Sequence, residues 1–64
     1  MKYLVHQYLI YMYPQAMSIE EIQDELLANG CYATYHQIYY ILNCSDIAVN
    51  IVKHNTTPYT YSIF

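Results

Sequence analysis

Apolar residues recur through the first thirteen positions with a helical period, but on nearly every side. At about 100° per residue, Leu4, Val5, Tyr8 and Met12 fall on one face, and Tyr3, His6, Ile10 and Tyr13 fall on the other. The pattern predicts a helix over about residues 2–13. Pro14 stops it, because the residue before a proline is pushed out of the α region. A helix that is apolar nearly all round needs cover on both sides, and a chain of 64 residues cannot easily supply it.

The next two segments are amphipathic and carry explicit start signals. Ser18-Ile19-Glu20-Glu21 is a capping box, in which the Ser18 hydroxyl accepts from the Glu21 N–H and the Glu21 carboxylate reaches back to the Ser18 N–H. The helix it opens, about 19–29, turns Ile19, Ile22 and Leu26 inward and Glu20, Glu21, Asp24 and Glu25 outward. Asn29-Gly30 closes it, with Gly30 free to adopt the left-handed conformation. Thr34-Tyr35-His36-Gln37 repeats the capping box with Gln37 where Glu21 stood. This third helix, about 35–43, turns Ile38, Ile41 and Leu42 inward, sets Tyr35 at the edge, and leaves His36, Tyr39, Tyr40 and Asn43 outward.

From Ile47 the apolar period changes to alternation, which predicts a hairpin over about residues 47–64. Ile47, Val49 and Ile51 share one strand face, and Tyr59, Tyr61 and Ile63 share another. His54-Asn55-Thr56-Thr57-Pro58 supplies the turn. Pairing Ile51 with Tyr61 and Val49 with Ile63 aligns both apolar sets and requires a loop of odd length. The predicted class is therefore α+β: three helices, two of them joined by a tight glycine-containing turn, followed by a C-terminal β-hairpin.

Composition narrows what such a domain can do. Two Lys and no Arg stand against five acids, for a net charge of −3. Each neutralised phosphate needs a cation, so sequence-independent binding along a DNA groove is disfavoured. One glycine leaves no phosphate-cradling loop, and a chain this short has little scaffold for an active site. Cys31 and His36 do not make a nucleophile–base pair, since no acid lies near to orient the base and no loop offers an oxyanion site. Cys31, His36, Cys44 and His54 are spread too widely for zinc spacing. The expectation is no catalysis, no metal, no cofactor and no small-molecule substrate. Cys31 reads as a small residue buried in the turn, and Cys44 as packing beneath the hairpin. His6 and Gln7 interrupt the N-terminal apolar run, which is too short to span a bilayer and lacks a cleavage site. The chain therefore reads as cytoplasmic, with no membrane partner and with reduced thiols. Ten tyrosines remain to be placed; their large apolar bodies with one polar end suit half-buried surfaces and interfaces.

The order helix, helix, turn, helix, hairpin resembles the winged helix-turn-helix superfamily, carried by Ser18–Leu26 with Gly30, Thr34–Leu42, and the hairpin after Asp46. In length and composition it is similar to the small single-domain members found in phages and mobile elements. The resemblance implies that the third helix is a recognition helix and the hairpin a wing. The carried-over contact set is Thr34, His36, Gln37, Tyr39, Tyr40 and Asn43, with Lys53 and His54 on the wing. The chain departs from the family in having no Arg or Lys on that helix, where basic groups normally supply much of the affinity. The expected function is thus a regulatory module acting by protein–protein contact, either with a partner or with itself as a homodimer through Tyr3, His6, Ile10 and Tyr13. The alternative is a dimeric transcription regulator reading DNA with the third helix and wing.

Overall fold

The computed structural model describes residues 1–64. Helix α1 spans Lys2–Met12, strand β1 Met17–Ser18, helix α2 Ile19–Ala28 and helix α3 Tyr35–Cys44; a 3-10 turn over Asp46–Asn50 leads to β2, Ile51–His54, and β3, Thr60–Ile63. The strands form one antiparallel sheet in the order β1-β3-β2. The α+β order expected from the sequence, three helices and then a hairpin, is the observed one.

Both capping boxes form. Ser18 Oγ accepts from Glu21 N–H at 3.2 Å while Glu21 Oε1 accepts from Ser18 N–H at 2.9 Å. Thr34 and Gln37 repeat the pair at 3.2 and 2.9 Å. Gly30 closes α2 with φ of 77°, and Gln23 Nε2 donates to the Ala33 carbonyl at 2.9 Å, which ties the connection to α2. The core then assembles from one stripe of each helix: Val5 and Leu9 from α1, Ile19, Ile22 and Leu26 from α2, and Ile38, Ile41 and Leu42 from α3. Met17, Ala33, Ile47 and Tyr61 complete it.

Helix α1 lies differently from its sequence reading. Leu9 is fully buried beside Val5, whereas Leu4, expected inward, is exposed. Tyr8 and Met12 are half-buried at the margin of the core.

The hairpin departs from expectation in three ways. Residues 46–50 coil into the 3-10 turn instead of beginning a strand, so Ile47 enters the core while Val49 is 77% exposed. The alternation Ile47, Val49, Ile51 therefore spans two elements, the turn and the start of β2 at Ile51. The register is also two residues away from the expected one: Ile51 pairs with Ile63 and Lys53 with Tyr61. A two-residue slip keeps every side chain on its own face, so Tyr61 and Ile63 still share one, and the loop 55–59 still has an odd length. Finally, β1 is an extra edge, pairing Met17 with Tyr61 and Ser18 with Thr60. That makes β3 the central strand and buries Tyr61 and Ser62. Tyr59, read as facing the core, is exposed, as is Cys44.

Candidate functional site

The outward side of α3 is an aromatic surface. Tyr35, His36, Tyr39 and Tyr40 are all exposed, and the Tyr35 and His36 rings stand edge to face with centroids 6.2 Å apart. Beside them lies an open, shallow groove of about 410 Å³ lined by Met1, His36, Gln37, Tyr40 and Ile41. No Lys or Arg side chain lines it.

The polar members of the recognition-helix set are largely engaged within the chain. Thr34 Oγ1 and Gln37 Oε1 are occupied by the capping box, leaving the Gln37 amide nitrogen free. Asn43 is half-buried, and its Nδ2 donates to the Tyr39 carbonyl at 2.9 Å and to the Tyr61 hydroxyl at 3.3 Å. The hydroxyl end of the most deeply buried tyrosine is thereby satisfied from α3. On the hairpin, His54 Nε2 and Ser62 Oγ share a hydrogen bond of 2.7 Å. The Lys53 amine rests over the Tyr59 ring, 4.2 Å from its centroid, a cation–π geometry.

The second lysine is spoken for as well. Lys2 Nζ donates to Asp46 Oδ1 at 2.7 Å, joining the start of α1 to the segment after α3. That hydrogen bond holds the Asp46 carboxyl below its ordinary pKa and raises the Lys2 amine above its own, each against a smaller opposing effect of desolvation. A depressed carboxyl stabilises the fold above its unfolded pKa and loses that contribution as pH falls through the folded value. The raised amine stabilises below its unfolded pKa and loses its contribution as pH rises through the folded value. The pair is therefore intact across the neutral range. Asp46→Asn is expected to remove a small stabilisation that wild type loses below about pH 4 and in high salt. Thermal melts of both proteins at pH 7 and at a series of pH values below 4 check this: the difference should be present at pH 7 and shrink as pH falls through the depressed carboxyl pKa.

The acids of α2, Glu20, Glu21, Asp24 and Glu25, are exposed, and the acids of its first turn complement the helix dipole. No three His, Cys, Asp or Glu side chains converge to hold a metal ion. Cys31 is half-buried against the core. No helix is long and apolar enough to cross a membrane.

A second surface runs along α1. Of the four residues expected there, Tyr3, Ile10 and Tyr13 are exposed and His6 is half-buried. Neither the hairpin nor the C-terminus covers the exposed three. Gln7 is exposed with them, and Leu4 and Tyr11 are exposed on the adjoining side, with Tyr3 72% and Tyr11 86% exposed. Leu4 was missed because it was read as core, and Tyr11 because an all-round apolar helix does not declare which side is out. No family model, curated protein or solved structure matches this chain.

Proposed function

We propose that this chain is a winged-helix regulatory module, with α2 and α3 as its helix-turn-helix and β2–β3 as its wing, that works without catalysis by binding protein. The carrying observation is the outward face of α3, which offers Tyr35, His36, Tyr39 and Tyr40 and carries no Lys or Arg of its own. Aromatic side chains are enriched at the centres of protein interfaces, where charged groups are depleted. The groove along Met1, His36, Tyr40 and Ile41 gives those rings an apolar margin. A nucleic-acid partner would meet a surface whose two lysines are engaged, Lys2 near Tyr40 but paired with Asp46, and Lys53 stacked on Tyr59. It would also meet the exposed acids of the neighbouring α2. Phosphate binding requires cations free to displace counterions, and neither lysine stands on α3.

Replacing Tyr39 with a photo-crosslinking phenylalanine analogue in cells tests the reading. A discrete protein adduct that disappears on adding Tyr40→Ala is the expected result. In parallel, polarisation with random-sequence DNA duplex at low salt should give no saturable binding. Micromolar binding that weakens with salt and with Lys53→Ala overturns the protein reading in favour of DNA.

A further inference from the structure

The exposed side of α1 is built as a near-palindrome. Gln7 lies at its centre; Leu4 and Ile10 stand three residues to either side, and Tyr3 and Tyr11 four residues to either side. All five are exposed. On a helix, steps of three and four residues return to the same face, so these side chains form one strip reading tyrosine, aliphatic, glutamine, aliphatic, tyrosine. We infer that this strip is the interface of an antiparallel two-fold homodimer, with Gln7 on the symmetry axis.

In a two-fold contact, residue i meets residue j of the copy and j meets i. With the axis at Gln7, Tyr3 and Ile10 lie on one edge of the strip and Leu4 and Tyr11 on the other, so Tyr3 packs beside the copy's Ile10, Leu4 beside the copy's Tyr11, and Gln7 faces Gln7. Each ring then meets an aliphatic side chain. The central amide carries both a donor and an acceptor, so two glutamines satisfy one another across the axis as a carboxylate or an ammonium could not.

Charge favours a second copy over other occupants. No Asp, Glu, Lys or Arg stands between Lys2 and Glu20, so the strip meets itself without repulsion. The rest of the surface carries a net charge of −3, and the acids of α2 repel their counterparts in a copy. A basic partner would find its complement on α2 and nothing on α1.

The area is adequate. Tyr3 and Tyr11 are mostly exposed and Leu4 and Ile10 about half so. With tyrosine burying about 150–250 Å² when covered, the strip offers at most about 500 Å² per copy, or about 1,000 Å² for the pair, which places it with the small, reversible interfaces.

This rests on the contact-module reading only in taking α1 as a contact surface, and it does not depend on what α3 binds. Sedimentation equilibrium of the whole chain at about 100 µM, a concentration that as a Kd corresponds to a standard free energy of only about −5.5 kcal/mol, should give a dimer. Gln7→Glu and Gln7→Lys each place like charges across the axis and should each raise Kd by at least about tenfold. Mixed together, the two variants should dimerise again as a heterodimer. Position 7 is exposed, so both variants should keep the wild-type circular dichroism. A wild type that stays monomeric at this concentration overturns the inference, and so does a dimer indifferent to both charges or a mixture that fails to recover. The adduct formed through position 39 is read separately, so loss of the dimer leaves the α3 reading standing.

Discussion

Leu9→Ala is expected to leave the chain largely unfolded at 25 °C in dilute solution. Leu9 is 0% exposed, and it and Val5 are the α1 residues fully inside the core. Truncating a buried leucine removes its transfer free energy and leaves a cavity, at a cost of about 2–5 kcal/mol. A single core below about 70–80 residues supplies about 3–5 kcal/mol in total. The loss is thus comparable to the whole stability, and α1 has little else to hold it beyond its half-buried margin and the Lys2–Asp46 bond. Leu4→Ala on the same helix removes the same atoms from an exposed position and should change stability by no more than about 0.5 kcal/mol. Urea titrations followed by circular dichroism, at a concentration where the chain is monomeric, compare the two. Equal costs would mean that α1 is rotated from the orientation described.

That contrast marks where the sequence was legible. The two amphipathic helices could be read to the residue: both capping boxes, the inward stripes of α2 and α3 and the glycine stop all appear in the structure. Opposition between polar and apolar sides decided their orientation. Helix α1 has no such opposition, so the periodicity was compatible with several rotations, and Leu4 was placed where Leu9 belongs. Strand β1 was invisible for a different reason. Two residues carry no period, and Ser18 already had a role as the cap of α2. At Ile47 the alternation with Val49 and Ile51 read as strand, whereas residues 46–50 form a 3-10 turn that buries Ile47 and exposes Val49. The register could be read only to within two residues, because the faces fix parity and the turn fixes the rest.

The contact surfaces were legible in type but not in availability. Thr34, Gln37 and Asn43 have the side chains that read adenine and thymine edges, yet their main hydrogen-bonding atoms are engaged within the chain. For Thr34 and Gln37 the capping box already implied this, since an oxygen accepting from a backbone N–H is occupied. For Asn43 the bond to the Tyr39 carbonyl is local, four residues back along the helix, but nothing local implied the bond to Tyr61, which is distant in sequence. The aromatic residues Tyr35, His36, Tyr39 and Tyr40 are what α3 actually presents. The shift from a base-reading surface to an apolar one follows from that difference.

Tyr61 makes the distinction testable. Its side chain is 1% exposed on the central strand, between Met17 of β1 and Lys53 of β2. Tyr61→Ala empties that position at a cost of about 3–5 kcal/mol, again the scale of the whole fold, and the chain is expected to be unfolded in water. Tyr61→Phe keeps the ring and removes only the acceptor of the Asn43 amide. Because Asn43 Nδ2 retains the Tyr39 carbonyl at 2.9 Å, the cost should be only about 1 kcal/mol. Once Asn43→Ala has been made, adding Tyr61→Phe should cost almost nothing further, since residues sharing one bond are not additive. This cycle, measured by urea denaturation, would assign Asn43 to holding α3 against the sheet. Additive costs, together with an Asn43→Ala protein of wild-type stability that no longer forms the adduct through position 39, would instead make Asn43 part of the binding face.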